Sequence, residues 1–142
     1  MVLYKNTVNK KSIKIAIDSP AGAGAGTQSK LISKHYNLFY LDTGKIYRVL
    51  AYYKIKNPKK FSLTYVKKKI KLIKLSELEN KKLLPNEIGI EASIISKNKE
   101  IRKLVDVIQK QYAYNPPKKY NGSCLDGRDI TYKILPDADF KF

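Results

Sequence analysis

The stretch Ile15 to Lys30, IAIDSPAGAGAGTQSK, closes a short apolar run on Asp18 and follows it with a loop of serine, proline, alanine and glycine that leads to Thr27. Backbone N–H groups can turn inward around phosphate oxygens only where side chains stay out of the way, and Gly22, Gly24 and Gly26 give that freedom. A helix running from Thr27 to Tyr36 adds the positive end of its dipole. The Thr27 hydroxyl is placed to ligate a magnesium ion held by the phosphates. Ser19 stands where the phosphate-loop pattern G-x-x-x-x-G-K-[ST] has its first glycine, and Ala25 where it has the lysine. Taken alone, the loop reads equally well as a small-residue strand-to-helix turn that holds nothing.

The rest of the chain supplies context. Ile13 to Ile17 reads as a buried strand ending at Asp18, Leu38 to Asp42 as a second, Gly122 to Asp126 as a third, and Ala138 to Phe142 as the start of a fourth. The first helix is expected to turn Leu31 and Ile32 inward. Lys45 to Ile55 reads as a helix with Ile46, Val49, Leu50 and Tyr53 on one side, broken by Asn57-Pro58. Residues 62–84 are helical or mixed, Glu87 to Ser96 is a helix, and Lys99 to Tyr114 is a long amphipathic helix stopped by Asn115-Pro116-Pro117. Strands alternating with helices at both ends of the chain predict a parallel α/β sheet, in which ligands sit beyond the carboxyl ends of the strands. Those ends carry Asp18-Ser19, Asp42-Thr43-Gly44 and Asp126-Gly127-Arg128-Asp129. Their convergence on one edge is a stronger signal than the loop by itself.

Together, IAIDSPAGAGAGT, LDTGKIYR, EIGIEAS and CLDGRD followed by PDADFK closely resemble the bacterial cytidylate (CMP) kinase family, in the same order and over almost the whole chain. The resemblance implies a P-loop fold of the nucleoside monophosphate kinase type, with a parallel sheet, helices on both faces and a helical monophosphate-binding insertion. The core would be 1–56 and 115–142, and the insertion 57–114. It implies phosphoryl transfer from ATP, with Mg²⁺, to CMP and dCMP. Ser19, Pro20, Ala21, Gly22, Ala23, Gly24, Ala25, Gly26 and Thr27 correspond to the ATP site, with Thr27 toward the metal. Thr43, Arg48, Ser93, Arg102, Arg128 and Asp129 correspond to the CMP site, and Asp126 to the strand-end acid near magnesium. Leu84 stands where the family often has arginine, and Thr131 where it has glycine. The family also continues beyond this sequence with an arginine-bearing lid, so the chain is expected to be a C-terminally incomplete portion with little catalysis of its own. A whole member is expected to be a cytoplasmic monomer.

Composition agrees with this reading at one telling point. Of 29 basic residues, 26 are lysine, and the three arginines, Arg48, Arg102 and Arg128, all fall at expected substrate positions. A guanidinium offers a planar fork to phosphate and to base-edge acceptors that an ammonium does not. Where the phosphate loop lacks its lysine, Lys45 is the candidate replacement, since it follows Gly44 at the adjoining strand end. Lys45, Arg128 and Asp126 are thus the expected catalytic groups.

The formal net charge of +17 raises a nucleic-acid or membrane-surface alternative, but the lysines are spread along the chain and threaded with apolar residues, as in VKKKIKLIKL. No specific nucleic acid and no membrane are expected as partners. The lone Cys124 excludes an internal disulfide and a cysteine-cluster zinc site, and reads as a small buried hydrophobe. Two other readings stand beside the kinase: a catalytically silent nucleotide-binding protein, favoured by Ala25, and a basic nucleic-acid-binding module, favoured only by charge.

Overall fold

A computed structural model describes residues 11–20 and 22–142. Ala21 and residues 1–10 lie outside the described residues. Four strands, β1 (Ile13–Asp18), β2 (Phe39–Asp42), β3 (Gly122–Gly127) and β4 (Phe140–Lys141), form one sheet in the order β2-β3-β1-β4 with every pairing parallel. Between them run α1 (Ala25–Tyr36), α2 (Gly44–Lys56), α3 (Leu63–Ile70), α4 (Leu75–Leu78), α5 (Asn86–Ile95) and α6 (Lys99–Tyr114). The α/β architecture with a parallel sheet agrees with the sequence reading.

Alternation along the strands divides the core into two layers. On one face Ile15, Ile17, Cys124 and Leu38 pack with Ile32 of α1. On the other, Ala16, Phe39, Leu41 and Leu125 join a larger apolar cluster that includes Leu50, Ile88 and Val105 of α2, α5 and α6. Helices therefore cover both faces. Cys124 is fully buried, as its apolar surroundings suggested.

One expectation fails. Leu31 does not face inward; it is 58% exposed. The buried positions of α1 are Ser29 and Ser33, with Ile32 half-buried beside them. Small serines let the helix lie close against β3, where the Cys124 thiol meets the Ser29 carbonyl at 4.0 Å, and a leucine on that line would hold it off.

Local chemistry fixes the boundaries. Asn98 caps α6 by accepting hydrogen bonds from the amides of Glu100 (3.0 Å) and Ile101 (3.1 Å). Ser62 caps α3 through the Tyr65 amide. The register pairs Ile13 with Gly122, Ile17 with Asp126 and Asp42 with Asp126, so the three acidic strand ends lie side by side at one edge.

Candidate functional site

The loop after β1 turns through left-handed residues. Gly22 has φ 79° and Gly24, the residue preceding α1, has φ 80°. Side chains rarely adopt this conformation, which accounts for glycine at both positions. Ser19 is anchored by donating its amide to the Gly127 carbonyl at 3.2 Å, and the Ala23 amide reaches back to the Pro20 carbonyl at 3.3 Å. The loop thus delivers the amino end of α1 to the carboxyl end of the sheet, with the Thr27 amide already closing on the Gly24 carbonyl at 3.1 Å. Thr27 is exposed in that first turn.

Asp126 lies just inside this mouth. A Cβ placed on Gly26 would come within 3.7 Å of its Oδ2, which also accepts the Tyr40 hydroxyl at 2.8 Å. Burial pushes the Asp126 carboxyl above the usual carboxylate range; the Tyr40 hydrogen bond opposes that shift and the charge of Asp42 adds to it. Burial and the same hydrogen bond also push up the Tyr40 phenol. Among the described residues no cluster of three or more acidic, histidine or cysteine side chains is gathered to hold a metal. Two adjacent carboxylates, Asp42 and Asp126, with a hydroxyl at Thr27, nevertheless fit magnesium, which takes one or two protein oxygens and completes its shell with phosphates and water.

Thr43 is buried, and its hydroxyl donates to the Asp126 carbonyl at 2.9 Å, so in this state it braces β2 against β3. Lys45 is committed to Glu79, with Nζ 2.7 Å from Oε1. Arg48 donates from Nη1 to the Leu83 carbonyl at 2.7 Å, and its guanidinium lies against Gly89 so closely that a Cβ there would sit 2.9 Å from Nη2. Ser93 lies exposed one turn beyond Gly89 and shares its face of α5. Arg102 meets Asp129, Nη2 to Oδ2 at 2.6 Å, while Asp129 Oδ1 accepts the Tyr132 hydroxyl at 2.6 Å. Arg128 is exposed. The structure therefore brings Asp126 to the phosphate loop and Arg102 to Asp129. Arg48, Gly89 and Ser93 form a separate group along α2 and α5.

Several residues of this edge were not among the sequence candidates. Tyr40 holds Asp126; its signal was available, since Tyr40 and Asp42 alternate onto one face of β2. Asp18, noted only as a strand end, accepts three hydrogen bonds from residues 130–131. Lys30 places its ammonium 6.0 Å above the Tyr40 ring. No pattern in the sequence marked Lys30 out among 26 lysines.

The fold and this edge define a phosphate-loop α/β protein of the nucleoside monophosphate kinase type. The family model described as cytidylate kinase matches residues 15–142, and the chain belongs to that family. Relatives named cytidylate kinase include one from Bartonella tribocorum, 39% identical over 93% of this chain and 60% of the relative. Others come from Mesomycoplasma hyopneumoniae, 34% identical over 92% and 61%, and Clostridioides difficile, 31% identical over 92% and 63%. The chain thus spans about three-fifths of the length of the curated relatives it matches.

Proposed function

We propose that this site serves the transfer of the terminal phosphoryl group of ATP to the phosphate oxygen of CMP or dCMP, giving the diphosphate. The observation that carries the reading is the placing of Asp126, paired at its strand end with Asp42, against Gly26 in the mouth of the left-handed glycine loop. Transfer of this kind needs no covalent intermediate on the protein; positioning and charge stabilisation do the work. The loop amides and the amino end of α1 bind the ATP phosphates. Thr27 and Asp126 would hold magnesium, which when bound draws charge from the phosphate oxygens. Arg102, Arg128 and Asp129 orient CMP, Arg48 and Thr43 receive its phosphate side, and Ser93 lies toward the base.

The cation that Ala25 leaves out must come from a neighbouring element. Lys45 supplies it once an arriving phosphate displaces Glu79, whose side chain is 72% exposed and paired with Lys45 at 2.7 Å. Lys30, beside Tyr40 and Asp126, is the competing donor. The test is CDP formation from CMP and Mg·ATP by the full-length protein and its Lys45→Ala and Lys30→Ala variants. Loss of one transition-state charge lowers kcat by about 10²–10³. That loss is expected for Lys45→Ala; finding it instead for Lys30→Ala reassigns the charge. A wild-type protein that binds both nucleotides without turnover favours the silent nucleotide-binding reading, for which Ala25 is the supporting observation.

A further inference from the structure

Asp18 ends β1, and the phosphate loop departs from it, yet its carboxylate reaches the other nucleotide side of the sheet. Oδ1 accepts the Ile130 amide at 2.7 Å. Oδ2 accepts both the Thr131 amide at 3.1 Å and the Thr131 hydroxyl at 2.5 Å. These donors immediately follow Asp129, which is held at φ 61° and ψ 20°, in the left-handed region that residues with a Cβ seldom occupy. Such a conformation persists only where its surroundings fix it, and the three bonds to Asp18 lie just beyond it in the chain. Asp129 in turn fixes Arg102 at 2.6 Å and the Tyr132 hydroxyl at 2.6 Å. A second tie runs the other way, from the Ser19 amide to the Gly127 carbonyl at 3.2 Å.

We infer that Asp18 and Thr131 form a clamp that presets Asp129 and Arg102 for CMP and makes the phosphate loop and the CMP pocket one mechanical unit. Both are positioning residues. The inference rests on the functional reading above. Thr131 gives the clamp a contact that glycine, expected at this position from the family resemblance, cannot make, because only a side-chain hydroxyl supplies the third bond. Hydrogen bonds to an ionised acceptor are among the stronger ones, so losing them is felt in the position of the strained residue they hold.

The clamp predicts that a change beside the ATP loop weakens CMP. Calorimetric titration of CMP into this chain and its variants reads it. Asp18→Asn, which keeps the shape and removes the charge, is expected to weaken CMP binding about tenfold. Thr131→Val, which keeps the volume and removes the hydroxyl, is expected to weaken it about threefold, with Thr131→Ser restoring wild-type affinity. The pair Asp18→Asn with Thr131→Val is expected to bind no more weakly than Asp18→Asn alone, because both remove the same contact. A folded Asp18→Asn or Thr131→Val variant whose CMP affinity stays within about twofold of wild type refutes the clamp while leaving the functional reading intact. A folded wild-type chain that binds no CMP refutes the functional reading and the clamp's role together. If Asp18→Asn fails to fold, the Thr131→Val and Thr131→Ser pair decides.

Discussion

Asp126 shows how a single residue at this edge trades stability for charge. Its carboxyl is buried beside Asp42, and its folded-state pKa lies above the ordinary value. The native state therefore holds that proton more tightly than the unfolded chain does. Wild-type stability falls as pH rises from the ordinary carboxylate value through the raised one, and the cost is fully present only above the raised one. Asp126→Asn removes it. The variant is expected to melt at a higher temperature than wild type at neutral pH, with the gap closing as pH falls through the raised pKa. Thermal unfolding of both proteins from acid to neutral pH checks the sign; a variant less stable than wild type at neutral pH contradicts it. At this scale the sequence was most informative where a residue type is costly to replace. The arginines stood out against a lysine background, and Arg48 and Arg102 both use their guanidinium groups in the structure. Lys30 and Glu79 were not legible because their roles depend on partners brought in from other elements, whereas Tyr40 could have been found from its alternation with Asp42 along β2.

Elements position these residues through register. A Cβ built on Gly122 would lie 1.9 Å from the Ile13 carbonyl oxygen, a backbone atom with nowhere to yield. Gly122→Ala must open the β1–β3 pairing that sets Ile17 beside Asp126, and is expected to cost about 3 kcal/mol or more. Chemical denaturation measures this, and a loss of less than about 1 kcal/mol would mean the strand entry is looser than the register implies. The strands and the long helices were readable from their apolar periods and from breaks such as Asn57-Pro58 and Asn115-Pro116-Pro117, whereas the Asn98 cap emerged only in the structure. Leu31 misled because hydrophobicity alone marks it as inward, whereas close packing of α1 on β3 selects small Ser29 and Ser33. The span 62–84 resolved poorly from sequence for a different reason. Its pieces, α3, the four-residue α4 and the turn Lys81–Leu83, are short, and lysines crowd α3 and the turn.

For the whole molecule, the net charge of +17 is the dominant long-range feature. Ion pairs such as Lys45–Glu79 and Lys103–Glu100 are surface contacts that contribute little to stability and weaken with salt. The same field attracts any polyanion, so affinity measured at low salt says little about a pocket. Among the described residues no helix is long and apolar enough to cross a membrane. The family match places the chain among the cytidylate kinases, while the assignment of residues to the nucleotides is our proposal, taken from the resemblance and read beside the geometry of the sheet edge. The most direct test is calorimetric titration of CMP into this chain at moderate salt, with UMP and AMP as controls. The account predicts saturable CMP binding, with both controls about tenfold weaker or more. A folded chain that binds CMP no better than UMP or AMP would contradict the assignment of Ser93, Arg102, Arg128 and Asp129 to a cytidine nucleotide.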